Sequence, residues 1–264
     1  MLHYFQEKKL HTVFEEYIEK ETLYHFSDIL GMGSYGVAYL LIHKQTKQKV
    51  VMKRLRAKHR KNTKTRSKFS QEISMLKLLD EPSIPALLHE GELSNIPFFI
   101  MEHVDGYTFQ QLIFEESVQF TEMECLQIAK QLFEIVLSLH SKSIVHRDLR
   151  IPNILIQNGQ LKLIDFGLSA YIKENIDIQT IKNPKKAENH ISDLYYIGHF
   201  LLFLLYSNYE PSTKKERSWQ EELQIPVELK RFIERLLLIG PGFSNAKEAY
   251  EDLVKMIKSE QQNP

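Results

Sequence analysis

The amino-acid sequence predicts an α+β fold with two lobes, a small, mostly-β lobe carrying one helix and then a larger, mostly-helical one. Three observations predict it. Residues 24–56 read as strand, glycine turn, strand, polar turn (Lys44–Lys49) and strand. A helical apolar stripe follows (Phe69, Ile73, Leu76, Leu79), punctuated by Pro82 and Pro85, and Phe98–Val104 reads as one more strand. Beyond Asp105-Gly106 the chain turns helical, interrupted by a single short hairpin. At 264 residues one two-lobed domain is the economical reading. It divides into an N-terminal helical extension, 1–22, and a domain, 23–260, with lobes of about 23–104 and about 105–260.

Each element has a local reason. In the extension, Leu10, Val13, Phe14, Tyr17 and Ile18 fall at helical spacing, and packing on the adjacent lobe is favoured over a partner site. Thr121-Glu122-Met123-Glu124 is a capping-box sequence opening a helix to about His140, with Leu126, Ala129, Phe133 and Val136 on its core face. Ile154–Ile156, the turn Asn158-Gly159 and Leu161–Ile164 form the hairpin, because Asn-Gly supplies the positive φ angles a two-residue turn needs. Helices are expected near 193–206, 227–239 and 246–258.

Bulk properties exclude several classes. Apolar residues make up 43% and charged ones 26%, with few Gly and Pro, so long disorder is not expected. Lys and Arg (34) balance Asp and Glu (34), which gives no global drive toward nucleic acid or an anionic membrane. Cys125, the single cysteine, excludes an intrachain disulfide and reads as a buried inert thiol, as in a reducing cytosol. Residues 1–16 lack the apolar core of a signal peptide, and 194–206 is too short to span a bilayer. The expectation is a soluble, cytoplasmic protein with no membrane span.

The chemistry sits around the hairpin. His146-Arg147-Asp148-Leu149-Arg150-Ile151-Pro152-Asn153 precedes it, and Asp165-Phe166-Gly167 follows twelve residues after Asn153. Two carboxylates and a carboxamide gathered there suit holding Mg²⁺ and aiming a hydroxyl. Upstream, Gly31-Met32-Gly33-Ser34-Tyr35-Gly36 is a G-x-G-x-x-G run followed by a strand pattern rather than a helix, which disfavours a dinucleotide fold.

The two downstream runs resemble the H-R-D-L-x-x-x-N catalytic loop and the D-F-G of protein kinases, and the glycine run resembles their phosphate-covering loop. Over residues 24–258 the chain resembles the eukaryotic-like (Hanks-type) protein kinases, of a bacterial serine/threonine type with a shortened activation segment. The resemblance implies transfer of the γ-phosphoryl of ATP to a protein hydroxyl, with Mg²⁺, or Mn²⁺ in its place. It implies Asp148 as catalytic base, Asn153 and Asp165 as metal ligands, and Arg150 as the cation at the γ-phosphate, where Ser/Thr kinases usually carry lysine. Lys53, ending Val50-Val51-Met52-Lys53, would pair with Glu72 and hold the α- and β-phosphates. Ala38 and Val51 would roof the adenine, Leu155 would floor it, Met101 would be the gatekeeper, and the backbone of Glu102 and Val104 would bond the base. Alanine and valine exchange their usual places in that roof, so its volume is kept. Asp193 would anchor the catalytic-loop backbone, and His146 would support the loop by packing.

Departures lie between Asp165 and Asp193, only 28 positions apart. No A-P-E is present, Asn183–Glu188 being the nearest run, and its customary arginine is missing from Pro241–Ser244. Arg147 commonly receives a phosphorylated residue, for which Ser169, Tyr171 and Thr180 are candidates; a segment this short that needs no phosphate is the equal alternative. The basic run 53–68 carries nine Lys and Arg and no acid. A solvated loop is favoured there over docking of an acidic partner, and the lack of interleaved aromatics disfavours nucleic acid. Two rivals remain open: a small-molecule or lipid kinase on the same fold, and an ATP-binding pseudokinase scaffold.

Overall fold

In a computed structural model, the structure describes residues 2–173, 181–210 and 217–262. The chain forms two compact units, Met1–Asp105 and Gly106–Pro264. The first holds helix α1 (Leu2–Glu21), strands β1 (Tyr24–Met32), β2 (Gly36–His43) and β3 (Lys49–Leu55), a 3₁₀ turn at Ala57–His59, helix α2 (Thr63–Leu78) and strands β4 (Leu87–Leu93) and β5 (Ile96–Glu102). These strands make one antiparallel sheet in the order β1-β2-β3-β5-β4.

Alternation along β3 gives the sheet two chemically distinct faces. Lys53 pairs across the ladder with Ala38 and Phe99, and Val51 with Met101, so these side chains share one face. Helix α2 covers it, Phe69 packing on Phe99 with ring centroids 5.4 Å apart. Asn62 starts α2 by accepting the Thr65 N–H, and Phe69, Ile73, Met75 and Leu76 are buried beneath it. Arg54, Met52 and Tyr39 point to the other face. Helix α1 lies there, burying Leu10, Phe14 and Ile18, with Phe14 and Tyr17 edge-on to Phe98. The extension thus packs on its neighbouring sheet, as its apolar spacing implies.

The second unit holds β6 (Tyr107–Thr108), α3 (Phe109–Phe114), α4 (Glu122–Ser141), β7 (Ile144–Val145), β8 (Ile154–Gln157), β9 (Gln160–Leu163), β10 (Ala170–Tyr171), α5 (His190–Tyr206), α6 (Trp219–Glu222), α7 (Val227–Leu236) and α8 (Ala246–Gln262). Thr121 and Glu124 close the expected capping box, and Thr108 with Gln111 makes a second. Helix α5 is buried along most of its length, from Ile191 to Leu205. Among the described residues no helix is long and apolar enough to cross a membrane. Cys125 is fully buried in α4, where burial first and then Glu124 and Glu122 push its thiol up to about 12. A thiol held protonated in this way is inert.

Candidate active site

In the first unit the glycine run forms the turn between β1 and β2, closed by Gly33 N–H donating to the Gly36 carbonyl at 3.0 Å. An added Cβ at Gly31 would meet nothing within 4 Å, and at Gly33 only that carbonyl at 3.9 Å, so both leave open backbone for a ligand to approach. Gly36 is glycine for a different reason, since a Cβ there would lie 3.2 Å from the Arg54 carbonyl oxygen and 3.3 Å from Lys53 Cε. Met32, Ser34 and Tyr35 are exposed along the turn. On the covered face, Lys53 Nζ bonds Glu72 Oε1 at 2.7 Å; their side chains are 17% and 5% exposed. Ala38, Val51, Lys53 and Met101 line that same face by register. Glu102 donates its N–H to Ala86 at 3.0 Å, and Val104 follows at the strand's end.

The second unit assembles the loop 146–153. Hairpin β8–β9 turns at Asn158 and Gly159, whose φ angles are +51° and +77°, as an Asn-Gly turn requires. Its pairing of Ile154 with Leu163 brings Ile164 N–H to the Asn153 carbonyl at 3.0 Å, which seats Asp165 beside Asn153. Asp165 takes a left-handed φ of +62° and its Oδ1 accepts the Gly167 N–H at 3.2 Å. Asn153 Nδ2 donates to Asp148 Oδ2 at 2.8 Å and to its carbonyl at 3.0 Å. That commits the amide nitrogen, so the carboxamide oxygen is the atom presented to a cation. Arg150 grips Asp148 with Nε on Oδ1 and Nη2 on Oδ2. The hydrogen bond to Asp148 is the main cause raising the guanidinium's pKa, so its charge is permanent. Leu155 is buried on β8.

The loop hangs on Asp193 at the start of α5. Its carboxylate accepts the N–H groups of His146 (3.0 Å) and Arg147 (2.7 Å) and bonds His140 Nε2 at 2.9 Å. Burial alone would raise its pKa, but the hydrogen bond and charge of His140 and the Arg147 N–H outweigh it and lower the value. Burial depresses the pKa of His146, whose ring lies edge-on to Phe166 at 4.7 Å. His146 therefore packs beneath the loop, fully buried.

Several partners escaped sequence reading. Arg147 donates to the carbonyls of Leu168 (3.2 Å) and Lys186 (2.9 Å) and lies 3.5 Å from Glu188, which also pairs with Lys173 at 2.5 Å. Ser169 is buried, its hydroxyl donating to the His146 carbonyl at 3.3 Å, while Tyr171 is exposed on β10; Thr180 lies outside the described residues. The basic run needs a correction, since it is not simply a solvated loop. Arg54 is 1% exposed and bonded to Glu7, while Arg66 pairs with Glu92 at 2.6 Å. Lys58, Lys61, Lys64 and Lys68 remain exposed.

Comparison with known proteins agrees with this geometry. Residues 24–198 match the protein kinase domain family. The chain is 36% identical over 236 residues to the "Probable serine/threonine-protein kinase YbdM" of Bacillus subtilis (strain 168), covering 89% of this chain and 90% of that one. It is 30% identical over 176 residues to calcium-dependent protein kinase 4 of Plasmodium falciparum, and 28% identical over 248 residues to serine/threonine-protein kinase DCLK3 of Mus musculus. In those two the match spans only 31% and 30% of the relative's length, against 64% and 89% of this chain. The chain belongs to the protein kinase family and has its α+β fold. Its chemistry is that of an ATP-dependent phosphotransferase using a divalent metal.

Proposed function

We propose that this chain transfers the γ-phosphoryl group of Mg·ATP to a serine or threonine hydroxyl of a protein, in the cytoplasm. The observation that carries the reading is the formed 2.7 Å pair of Lys53 and Glu72, which holds a single ammonium on the face shared with Ala38, Val51 and Met101. The open backbone at Gly31 and Gly33 suits a polyphosphate.

Lys53 holds the α- and β-phosphates and Glu72 holds Lys53. Asp148 accepts the proton of the acceptor hydroxyl as that oxygen bonds the γ-phosphorus and the bond to the ADP oxygen breaks. Arg150 exchanges part of its grip on Asp148 for the transferring phosphoryl. Asn153 and Asp165 would hold Mg²⁺. Among the described residues no cluster of three or more His, Cys, Asp or Glu stands ready for a metal. Membership of the protein kinase family favours Mg²⁺ at Asn153 and Asp165. Bound there, the ion supplies charge compensation across the phosphate oxygens. The exposed lysines 58, 61, 64 and 68 offer an acidic protein substrate a complementary surface.

The test is transfer of labelled γ-phosphate to the protein itself, a generic basic protein and a small-molecule panel, beside Asp148→Asn. The expected result is label on protein, recovered as phosphoserine or phosphothreonine and reduced about 10²–10⁴-fold in the variant. Label on small molecules alone, or only as phosphotyrosine, would overturn the reading.

A further inference from the structure

The link between Lys53 on β3 and the helix bearing Glu72 is held by a carboxylate from outside the matched residues 24–198. Glu7, on α1, is 6% exposed. Its Oε1 accepts from Arg54 Nη1 at 2.6 Å, its Oε2 accepts the Ala57 backbone N–H at 3.1 Å, and Arg56 Nε lies 3.6 Å from Oε2. The other contacts of Arg54 are the Tyr39 hydroxyl (2.6 Å), the Leu55 carbonyl (3.2 Å) and the rings of Phe14 and Tyr39. The network then runs into the glycine turn. Arg56 Nη1 donates to the Gly33 carbonyl at 3.0 Å and its backbone N–H to the Tyr35 carbonyl at 2.9 Å. His59 Nε2 donates to the Ser34 carbonyl at 3.1 Å.

An apolar pair in place of Glu7 and Arg54 would seal α1 onto the sheet at least as well, because burying two charges carries a desolvation cost. What the charged pair adds is direction. A carboxylate fixes the Ala57 N–H and the Arg54 guanidinium at chosen angles, with the Arg56 guanidinium close by, which methyl groups cannot do. Both groups it fixes belong to residues 54–57, which follow Lys53 directly and whose Arg56 bonds the carbonyls of Gly33 and Tyr35.

We propose that Glu7 is a positioning residue for the nucleotide site, and that α1 is a working part of the catalytic unit. Through residues 54–57, Glu7 sets both the glycine turn and the Lys53–Glu72 pair. The proposal rests on reading that turn and Lys53 as the nucleotide site.

The experiment compares the full chain with a Glu7→Leu/Arg54→Met double variant and with Ile18→Val, measuring Mg·ATP affinity, KM, kcat and thermal unfolding. The double variant removes both buried charges together. Tyr39 keeps His11 Nδ1 as a partner at 3.2 Å, and Ala57 is only half-buried. The expected result is cooperative melting near the parental Tm, with affinity weakened and KM for ATP raised about tenfold. Ile18→Val loosens the same helix away from Glu7, and should lower Tm while leaving affinity and KM unchanged. Parental affinity in the double variant overturns the proposal, as does loss of affinity in step with Tm in Ile18→Val, which makes the bracing purely structural. Should the double variant not melt cooperatively, Glu7→Gln decides. Its single acceptor oxygen cannot serve Arg54 and Ala57 as two carboxylate oxygens do, so parental affinity there overturns the proposal equally. A wild-type chain that binds no Mg·ATP sinks the nucleotide-site reading instead.

Discussion

Arg150 holds both oxygens of Asp148 at once, Nε on Oδ1 and Nη2 on Oδ2, while Asn153 donates to Oδ2 as well. Such a fork fixes the plane of the carboxylate, and a lysine has only a point charge to offer in its place. Arg150→Lys should therefore lower kcat about tenfold, and Arg150→Met about 10²-fold, as loss of a clamp on a transferring phosphoryl does. Steady-state kinetics at saturating Mg·ATP check this.

Arg147 is already engaged by the carbonyls of Leu168 and Lys186 and by Glu188. A carboxylate stands where a phosphate could otherwise be received. Phosphatase-treated protein is therefore expected to keep its activity within about twofold, while Glu188→Ala loses about tenfold. Initial rates before and after phosphatase treatment make the comparison.

Asp193 is fully buried and its pKa is lowered. A carboxyl whose folded value lies below its unfolded value contributes stability that is fully present above the unfolded value, about 4. That contribution is lost as pH falls through the folded value. Asp193→Ala strands His140 and two loop N–H groups, and should cost about 3–5 kcal/mol. Urea unfolding at pH 7 measures that loss, and below pH 4 the gap between variant and wild type should narrow.

Glu122 opens α4, its Oε1 buried without a partner, and its carboxyl is raised to about 7 by burial first and then by Glu260. The sign is opposite to that of Asp193. Stability is fully present below the unfolded value, about 4.3, and is lost as pH rises through about 7. Glu122→Gln, which removes the charge, should raise Tm by a few degrees at pH 8 and leave it unchanged below about pH 4. Two thermal melts per protein decide it.

What the sequence revealed is what local rules encode. The Asn158-Gly159 hairpin, the capping box at Thr121 and the glycine turn need only their neighbours to be read. Strand β4 was missed because it is an edge strand, mostly exposed and carrying His89, Glu90 and Glu92, with no apolar alternation to betray it. Helix α5 starts three residues before the expected 193, because Asn189 caps it by a side-chain bond that periodicity does not register. The roles of Glu7 and Glu188 were invisible for another reason. Glu7 lies 47 positions from Arg54, and a lysine- and arginine-rich run looks solvated until something distant buries one of its members.

Lys53 and Arg54 stand side by side on β3, yet each has an acidic partner on an opposite side of the sheet, Glu72 and Glu7. A frame shift of one residue in this strand would aim the guanidinium at α2 and the ammonium at α1, inverting every side chain between Lys49 and Leu55. Ammonium under α1 could not match the three-oxygen, two-ring cradle around Arg54. The adjacent pair of cations therefore works as a phase marker for the strand. Single-residue insertions or deletions here face a penalty that insertions in the exposed turn 44–48 escape, so length variation in this fold is steered into the turn.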